Sequence, residues 1–297
     1  MPRPPRVLAL VILLIASALP AADDVKVSPG VVEDQRFTDE RFGGLSVGLV
    51  LKGGAVADVK AIRVRVKSAK DDVGTVLYKP EKDEKPKDFE DFSTSTGLGP
   101  AGPQAHLLSP RRDAATVDVA GEIELFVPAR DPNTKQRFER FLSGLDRPIG
   151  GSSLKAAKVE ITPLSPKEYE ARQKKNRPTK DQIRAEGKKQ GVSDAEIEQA
   201  IAMMDALASL GGEAPSENSI LLETKDPDGR IIAVDLVGAD GKELQARSRG
   251  SNGGRELKLV KIDLSEKPPA DAALVVTLRT PKSVVTVPFN LKEVPLP

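Results

Sequence analysis

The chain has no cysteine and no tryptophan, one histidine (His106) and two tyrosines (Tyr78 and Tyr169) in 297 residues. Without cysteine there is no disulfide framework, thiolate nucleophile or thiolate metal ligand, and no lipid attachment at a signal-peptide cysteine. A single histidine excludes multi-histidine metal sites and restricts any histidine-based catalytic pair to His106. Aromatic residues make up 3% of the chain, so the stacking platforms of sugar and nucleobase sites are poorly supplied. Charge of one sign is lacking too. Lys and Arg number 45 against 44 Asp and Glu, which gives no whole-chain attraction to nucleic acid or an anionic membrane. Against these absences stands a 39% hydrophobic content, enough for packed cores, over a length that suits roughly two domains of about 150 residues.

The N-terminus reads as an address. Arg3 and Arg6 precede an unbroken apolar run from Val7 to Ala16, followed by Ser17-Ala18-Leu19-Pro20-Ala21-Ala22. A positive start, an apolar stretch and small residues before a cleavage point describe a secretory signal peptide over residues 1–21, cut after Ala21. The run is shorter than the about 20 apolar residues that a span needs. The expectation is a periplasmic or secreted protein with no stable membrane span after cleavage.

Three compositional zones follow, at 22–164, 165–213 and 214–297. In the first, Ile62-Arg63-Val64-Arg65-Val66-Lys67 alternates apolar with charged residues, placing one face on a core and one in water. Leu45 to Leu51 and Thr116 to Val127 behave similarly, the latter broken by Gly121. Lys79 to Phe92 and the Gly/Pro/Ser-rich stretch on to Pro110 bury little and read as long surface loops. The second zone changes period. Ser165 with Glu168, Thr179 with Gln182 and Ser193 with Glu196 are successive capping boxes, each predicting a helix start, and Gly211-Gly212 predicts the last helix's end. Ile197, Ala200, Ile201, Met204 and Leu207 recur at steps of three and four and form a structural apolar stripe. In the third zone Ile232, Val234 and Leu236 alternate, as do Val285, Val287, Phe289 and Leu291. Pro288, without an N–H, predicts an edge or bulged strand. Asp226-Pro227-Asp228-Gly229 and Ala239-Asp240-Gly241-Lys242 predict turns.

An internal repeat links the outer zones: Ile62 to Leu77 parallels Ile232 to Leu244, each an alternating strand, an acidic turn with Gly, and an apolar residue opening the next strand. These strand–turn–strand units, with the closing Val287-Pro288-Phe289-Asn290-Leu291, resemble the tandem immunoglobulin-like or fibronectin-III-like sandwich modules of exported bacterial proteins. The Cys…Trp…Cys signature of antibody domains is absent. The resemblance implies a mainly β chain: signal peptide 1–21, β-sandwich domain 22–164, helical linker or insert 165–213, and β-sandwich domain 214–297. Around Gly191-Val192-Ser193-Asp194-Ala195-Glu196 the helices are also similar to the small three-helix modules typified by ubiquitin-associated domains, but ubiquitin binding is not carried over to an exported chain.

Motifs for chemistry are few. Nucleophile elbows, phosphate loops, dinucleotide fingerprints and H-E-x-x-H helices are all missing from the sequence. Ser152-Ser153-Leu154-Lys155 has the Ser-x-x-Lys spacing without the companion motifs of a penicillin-recognising site, and His106 sits among small and apolar residues. Asp71-Asp72, Asp226 with Asp228, and Asp131 with Asn133 offer oxygens of the kind Ca²⁺ takes. The 226 loop has Val237 where a calcium loop needs Glu, so Asx-turn chemistry is the expected role of all three. From Lys167 to Lys189 nine bases face four acids, and a solvated helix face is the expected reading. These considerations assign no catalytic, cofactor or metal residue. The expected role is an exported non-catalytic module that meets an envelope protein partner through exposed sheet edges, without nucleic acid. An accessory carbohydrate-binding or hydrolase-associated module is the alternative.

Overall fold

The computed structural model describes residues 25–36, 43–80, 88–92, 102–176, 179–209, 215–254 and 256–297. The expected signal peptide, parts of the expected loops between 79 and 110, and Gly211-Gly212 lie outside the described residues. The fold is mainly β, 44% strand and 22% helical, with several antiparallel sheets. The strands up to the middle of the chain are β1 (Lys26–Gln35), β2 (Gly44–Lys52), β3 (Ala61–Asp71), β4 (Glu90–Asp91), β5 (Gln104–Leu107), β6 (Thr116–Phe126) and β7 (Lys135–Phe138). A short helix α1 (Ser152–Ala156) and β8 (Glu160–Pro163) lead to helices α2 (Pro166–Asn176), α3 (Lys180–Lys189) and α4 (Asp194–Ser209). The chain then returns to strands β9 (Ser219–Lys225), β10 (Ile231–Val237), β11 (Ala246–Gly253), β12 (Lys258–Leu264), β13 (Ala273–Leu278) and β14 (Val284–Pro295).

The chain divides into two compact units. One takes the described residues of Met1–Lys85, Phe92–Leu125 and Val285–Pro297; the other takes those of Pro86–Asp91 and Phe126–Val284. The change of sequence period near 164 therefore does not mark the division. Strands β7 and β8 pair with β13 and β9 in the second unit, and most of the last strand belongs to the first. Composition records where strands give way to helices; which strand pairs with which is a long-range choice.

In the first unit β2 lies between β1 and β5, antiparallel to both, and β6 lies between β3 and β14. Strand β6 shows the alternation that builds this unit: Val117, Val119, Gly121, Ile123 and Leu125 are buried, while Asp118, Ala120, Glu122 and Glu124 between them are half-buried. On β14, Val285, Val287, Phe289 and Leu291 are buried in the same rhythm. Pro288 sits, as expected, in a strand at the sheet's edge, where a missing N–H is tolerated. The rhythm slips by one residue at Glu293, whose φ is 51°. There Asp118 holds the strand, accepting the Glu293 N–H at 2.9 Å and the Lys292 ammonium at 2.7 Å. On the outer face, Arg63, Arg65 and Lys67 of β3 pair with Glu124 and Glu122 of β6. The expected loop running to Pro110 instead contains β5, which buries Ala105 and Leu107 against β2.

In the second unit β9 and β12 lie between β8 and β11, and β13 lies between β10 and β7. The two sheets share one core: Ile161, Ile220, Leu222, Ile262 and Leu264 from the first, Leu236, Leu274, Val276 and Leu278 from the second. That arrangement is consistent with a β-sandwich. Strand β9 is buried on both faces because α2 covers its outer side, where Tyr169 packs with Leu164, Leu221 and Leu259. The three helices start where their capping residues predict. Thr179 and Ser193 make reciprocal boxes with Gln182 and Glu196, whereas Ser165 accepts the Glu168 N–H while Glu168 turns to Arg172. The helices occupy an excursion between β8 and β9, two strands that pair with each other.

Gly121 does not break β6. A Cβ at this position would overlap the Arg65 carbonyl oxygen and sit 2.8 Å from the Phe289 ring, so glycine lets the three strands close ranks. Gly121→Val is expected to cost about 2–3 kcal/mol through overpacking. The denaturation midpoint checks this, with an unchanged midpoint counting against the close approach.

Candidate functional site

The residues that the sequence offered for chemistry are separate in space, and each is held by structural bonds. His106 lies on the exposed face of edge strand β5, its Nδ1 3.1 Å from the hydroxyl of Ser46 on β2. Glu33 of β1 stands opposite Ser46 in the same row. Serine is thus the middle member, whereas a histidine that is to move a proton needs the carboxylate on its own far side. Ser152 and Lys155 are both exposed on α1, a single turn that is anchored by the buried Leu154.

The acidic loops use their oxygens on N–H groups. Asp71, 4% exposed, accepts the Thr75 N–H at 2.6 Å and the Arg111 N–H at 3.2 Å. Asp72 accepts the Ala115 N–H. Asp226 accepts the N–H groups of Arg230 and Ile231, each at 2.7 Å, across a turn whose Gly229 has a φ of 60°. Asp131 accepts from the Asn133 N–H at 2.9 Å and from the Thr280 hydroxyl at 2.7 Å. These are Asx turns and loop pins. Among the described residues no group of three or more His, Asp or Glu side chains is placed to hold a metal ion. Burial pushes the Asp71 carboxyl up, but the N–H groups of Thr75 and Arg111 outweigh it, so its pKa lies below the usual carboxylate value. For Asp131 the Asn133 N–H, and then the Thr280 hydroxyl, lower it as well.

The basic stretch Lys167–Lys189 is partly neutralised by its own acids and partly by acids that the sequence places outside it. Arg172 binds Glu168 and reaches Glu223, which is 5% exposed on β9 beneath α2. Arg184 binds Glu198 at 2.8 Å and Asp181 at 3.2 Å, and Lys188 faces Asp194. Over 166–209 nine bases meet eight acids. Helices α3 and α4 pack through Gly187, where a Cβ would lie 2.6 Å from Ile197. Beside that contact the end of α2 closes a groove of about 830 Å³, floored by Ile183, Val192 and Ile197 with Lys175 and Lys189 at its rim. The carboxylates lining it are engaged within the helices, Glu196 capping Ser193 and Glu186 meeting Gln190.

The sequence reading passed over β11 and β12. Strand β11 (Ala246-Arg247-Ser248-Arg249-Gly250-Ser251-Asn252-Gly253) forms one edge of its sheet, and every side chain after Ala246 is exposed on both faces. Beside it on β12, Asp263 accepts from Ser219 of β9 at 2.6 Å and Ser248 of β11 at 2.9 Å, with Lys261 at 3.2 Å. Burial raises the Asp263 carboxyl, and these donors together bring it below its ordinary value. Arg249 reaches from β11 to the Val234 carbonyl at 2.7 Å, bridging to the edge of the facing sheet. The available signal was the alternation of Val260, Ile262 and Leu264 with Lys261 and Asp263. No family model, no curated protein and no solved structure matches this chain.

Because the Asp71 pKa is lowered in the folded chain, its stabilising contribution is present above the unfolded value of 3.8 and is lost as pH falls through the folded one. Asp71→Asn is expected to lose on the order of 1 kcal/mol at neutral pH and little at pH well below 3.8. Melting the variant and the parent across acid pH checks this. A stability difference that stays constant with pH would contradict it.

Proposed function

We propose that this chain is an exported, non-catalytic protein of tandem immunoglobulin-like or fibronectin-III-like sandwiches that recognises an envelope protein partner through a sheet edge. The apolar N-terminal run supports export to the periplasm or beyond. Among the described residues no helix is long and apolar enough to cross a membrane. The turn geometry supports the duplication. After β3, Asp71 N–H bonds the Thr75 carbonyl, Gly74 N–H bonds that of Asp71, and Leu77 N–H bonds that of Ala69. After β10, Gly238, Gly241 and Leu244 donate to Lys242, Gly238 and Leu236 in the same pattern. Gly74 and Gly241 both have positive φ, 97° and 78°, and each turn is followed by one isolated bridge, Lys70–Val76 and Val237–Glu243. Two segments 167 positions apart thus fold into the same strand–turn–bridge unit.

The observation that carries the recognition reading is β11, an eight-residue edge strand of which only Ala246 packs against a core. An edge of this kind presents a row of main-chain groups to which an extended segment adds by strand pairing. Arg247 and Arg249 on this edge disfavour pairing with a second β11 and favour a segment that carries acids. Asp71, Asp72, Asp131 and Asp226, meanwhile, are committed to loop N–H groups, and the main chain of β11 is the group offered for recognition.

Capture from envelope extract tests this. The parent chain is expected to retain a partner, and Gly250→Pro, which removes a main-chain donor from the edge, to lose it with the fold intact by circular dichroism. Equal capture by both proteins would remove β11 from the interface, and repeated recovery of the parent alone would contradict the reading.

A further inference from the structure

The two units share more than one turn. In the first, β1, β2 and β5 form one sheet, and β3, β6 and β14 the other. In the second, β8, β9 and β12 form one sheet, extended by β11, and β10, β13 and β7 form the other. Taken in chain order, β1, β2, β3, β5 and β6 correspond to β8, β9, β10, β12 and β13. Each falls in the same sheet beside the same neighbours. The sixth strand breaks the correspondence. The strand that follows β6 in the chain is β7, yet it pairs with β13, the counterpart of β6. The strand that follows β13 is β14, yet it pairs with β6.

We infer that the units are two copies of one six-stranded topology that have exchanged their closing strands, and that the edge of β6 is a strand-acceptor site able to take the C-terminal strand of a second copy of this chain. This deepens the duplication reading above. Its test reads strand pairing inside the chain, so the outcome of partner capture does not decide it.

Strand lengths give the exchange a physical reason. β6 has 11 residues and β14 has 12, whereas β13 has 6 and β7 has 4. Exchange matches long with long and short with short. Pairing along the chain would set the twelve residues of β14 against six of β13, leaving much of the Val285, Val287, Phe289 and Leu291 face uncovered. It would also leave most of β6 with the four residues of β7, whose pattern is largely polar. The two connections that the exchange requires, 127–134 and 279–283, are tied to each other. The Val127 N–H donates to the Ser283 carbonyl at 2.8 Å, and the Thr280 hydroxyl to Asp131 at 2.7 Å. Asp131, expected from the sequence to serve a turn, is in this setting also a latch between the two segments. Within one chain β14 is held near its acceptor by its tether, so the effective concentration favours the intramolecular pairing; a second copy competes when that pairing is broken.

Hydrogen exchange of the full chain, read by peptide fragments, tests the pairing. Phe289→Asp on β14 is expected to remove protection from β3 and β6 while β10 and β13 keep theirs. Phe138→Asp on β7, whose ring packs against the second core, is expected to do the reverse. Loss of protection at β10 and β13 in the Phe289 variant would overturn the inference. Should either aspartate unfold the whole chain, Phe289→Leu and Phe138→Leu are read the same way from the sites of faster exchange. A synthetic peptide of residues 285–297 is then added to the Phe289→Asp chain. It is expected to restore protection of β3 and β6 in proportion to its concentration, and the same peptide carrying Phe289→Asp is expected not to. Failure of the parent peptide to restore it would overturn the acceptor site.

Discussion

The burial of one face of β6 is the constraint on which the first unit depends. Val117, Val119, Ile123 and Leu125 are all withdrawn from water, and at about 25 cal/mol per Å² of apolar surface this face contributes much of what opposes chain entropy. A strand so placed needs a neighbour on both sides. On one side β3 comes from the same half of the chain and carries the complementary charges Arg63, Arg65 and Lys67. On the other side the neighbour comes from the far end of the chain, and Gly121 provides the room it needs. Completion of the first unit is therefore a long-range event, and contacts so distant in sequence slow folding.

The charged groups serve the same architecture. Thirty per cent of the chain is ionisable Asp, Glu, Lys or Arg, yet the buried and half-buried members are occupied with structure. Asp71, Asp131 and Asp226 hold loops, Asp118 holds the end of β14, and Arg172 with Glu223 docks α2 on its sheet. Removing one member of such a buried pair strands the other without compensation. Side chains committed in this way serve the fold, whereas β11 presents a main-chain edge with no further strand beside it among the described residues.

Much of the local structure was legible in the sequence. Period-two alternation located β3, β6, β10 and β14, the capping boxes located α2, α3 and α4, and the Asp-Gly pairs located turns, because each depends on neighbouring residues. The edge position implied by Pro288 was legible for the same reason. Domain boundaries were less so: the change of period at 165 marks an excursion between two paired strands, not the end of a unit. The repeat seen between 62–77 and 232–244 showed the shared turn but not the closing strands, since β7 is four residues of mixed polarity with no signal of its own. At the candidate sites, residue types indicated the turn that Asp131 makes with Asn133, and the structure adds its tie to Thr280. Short β5 was hidden by its Gly/Pro surroundings, although Ala105 and Leu107 alternate around His106.

Backbone proton–proton contacts measured by NMR across neighbouring strands test the strand assignment most directly. The account predicts cross-strand contacts between β6 and β14 and between β7 and β13. Contacts that join β13 to β14 as a hairpin, with β7 lying beside β6, would contradict it.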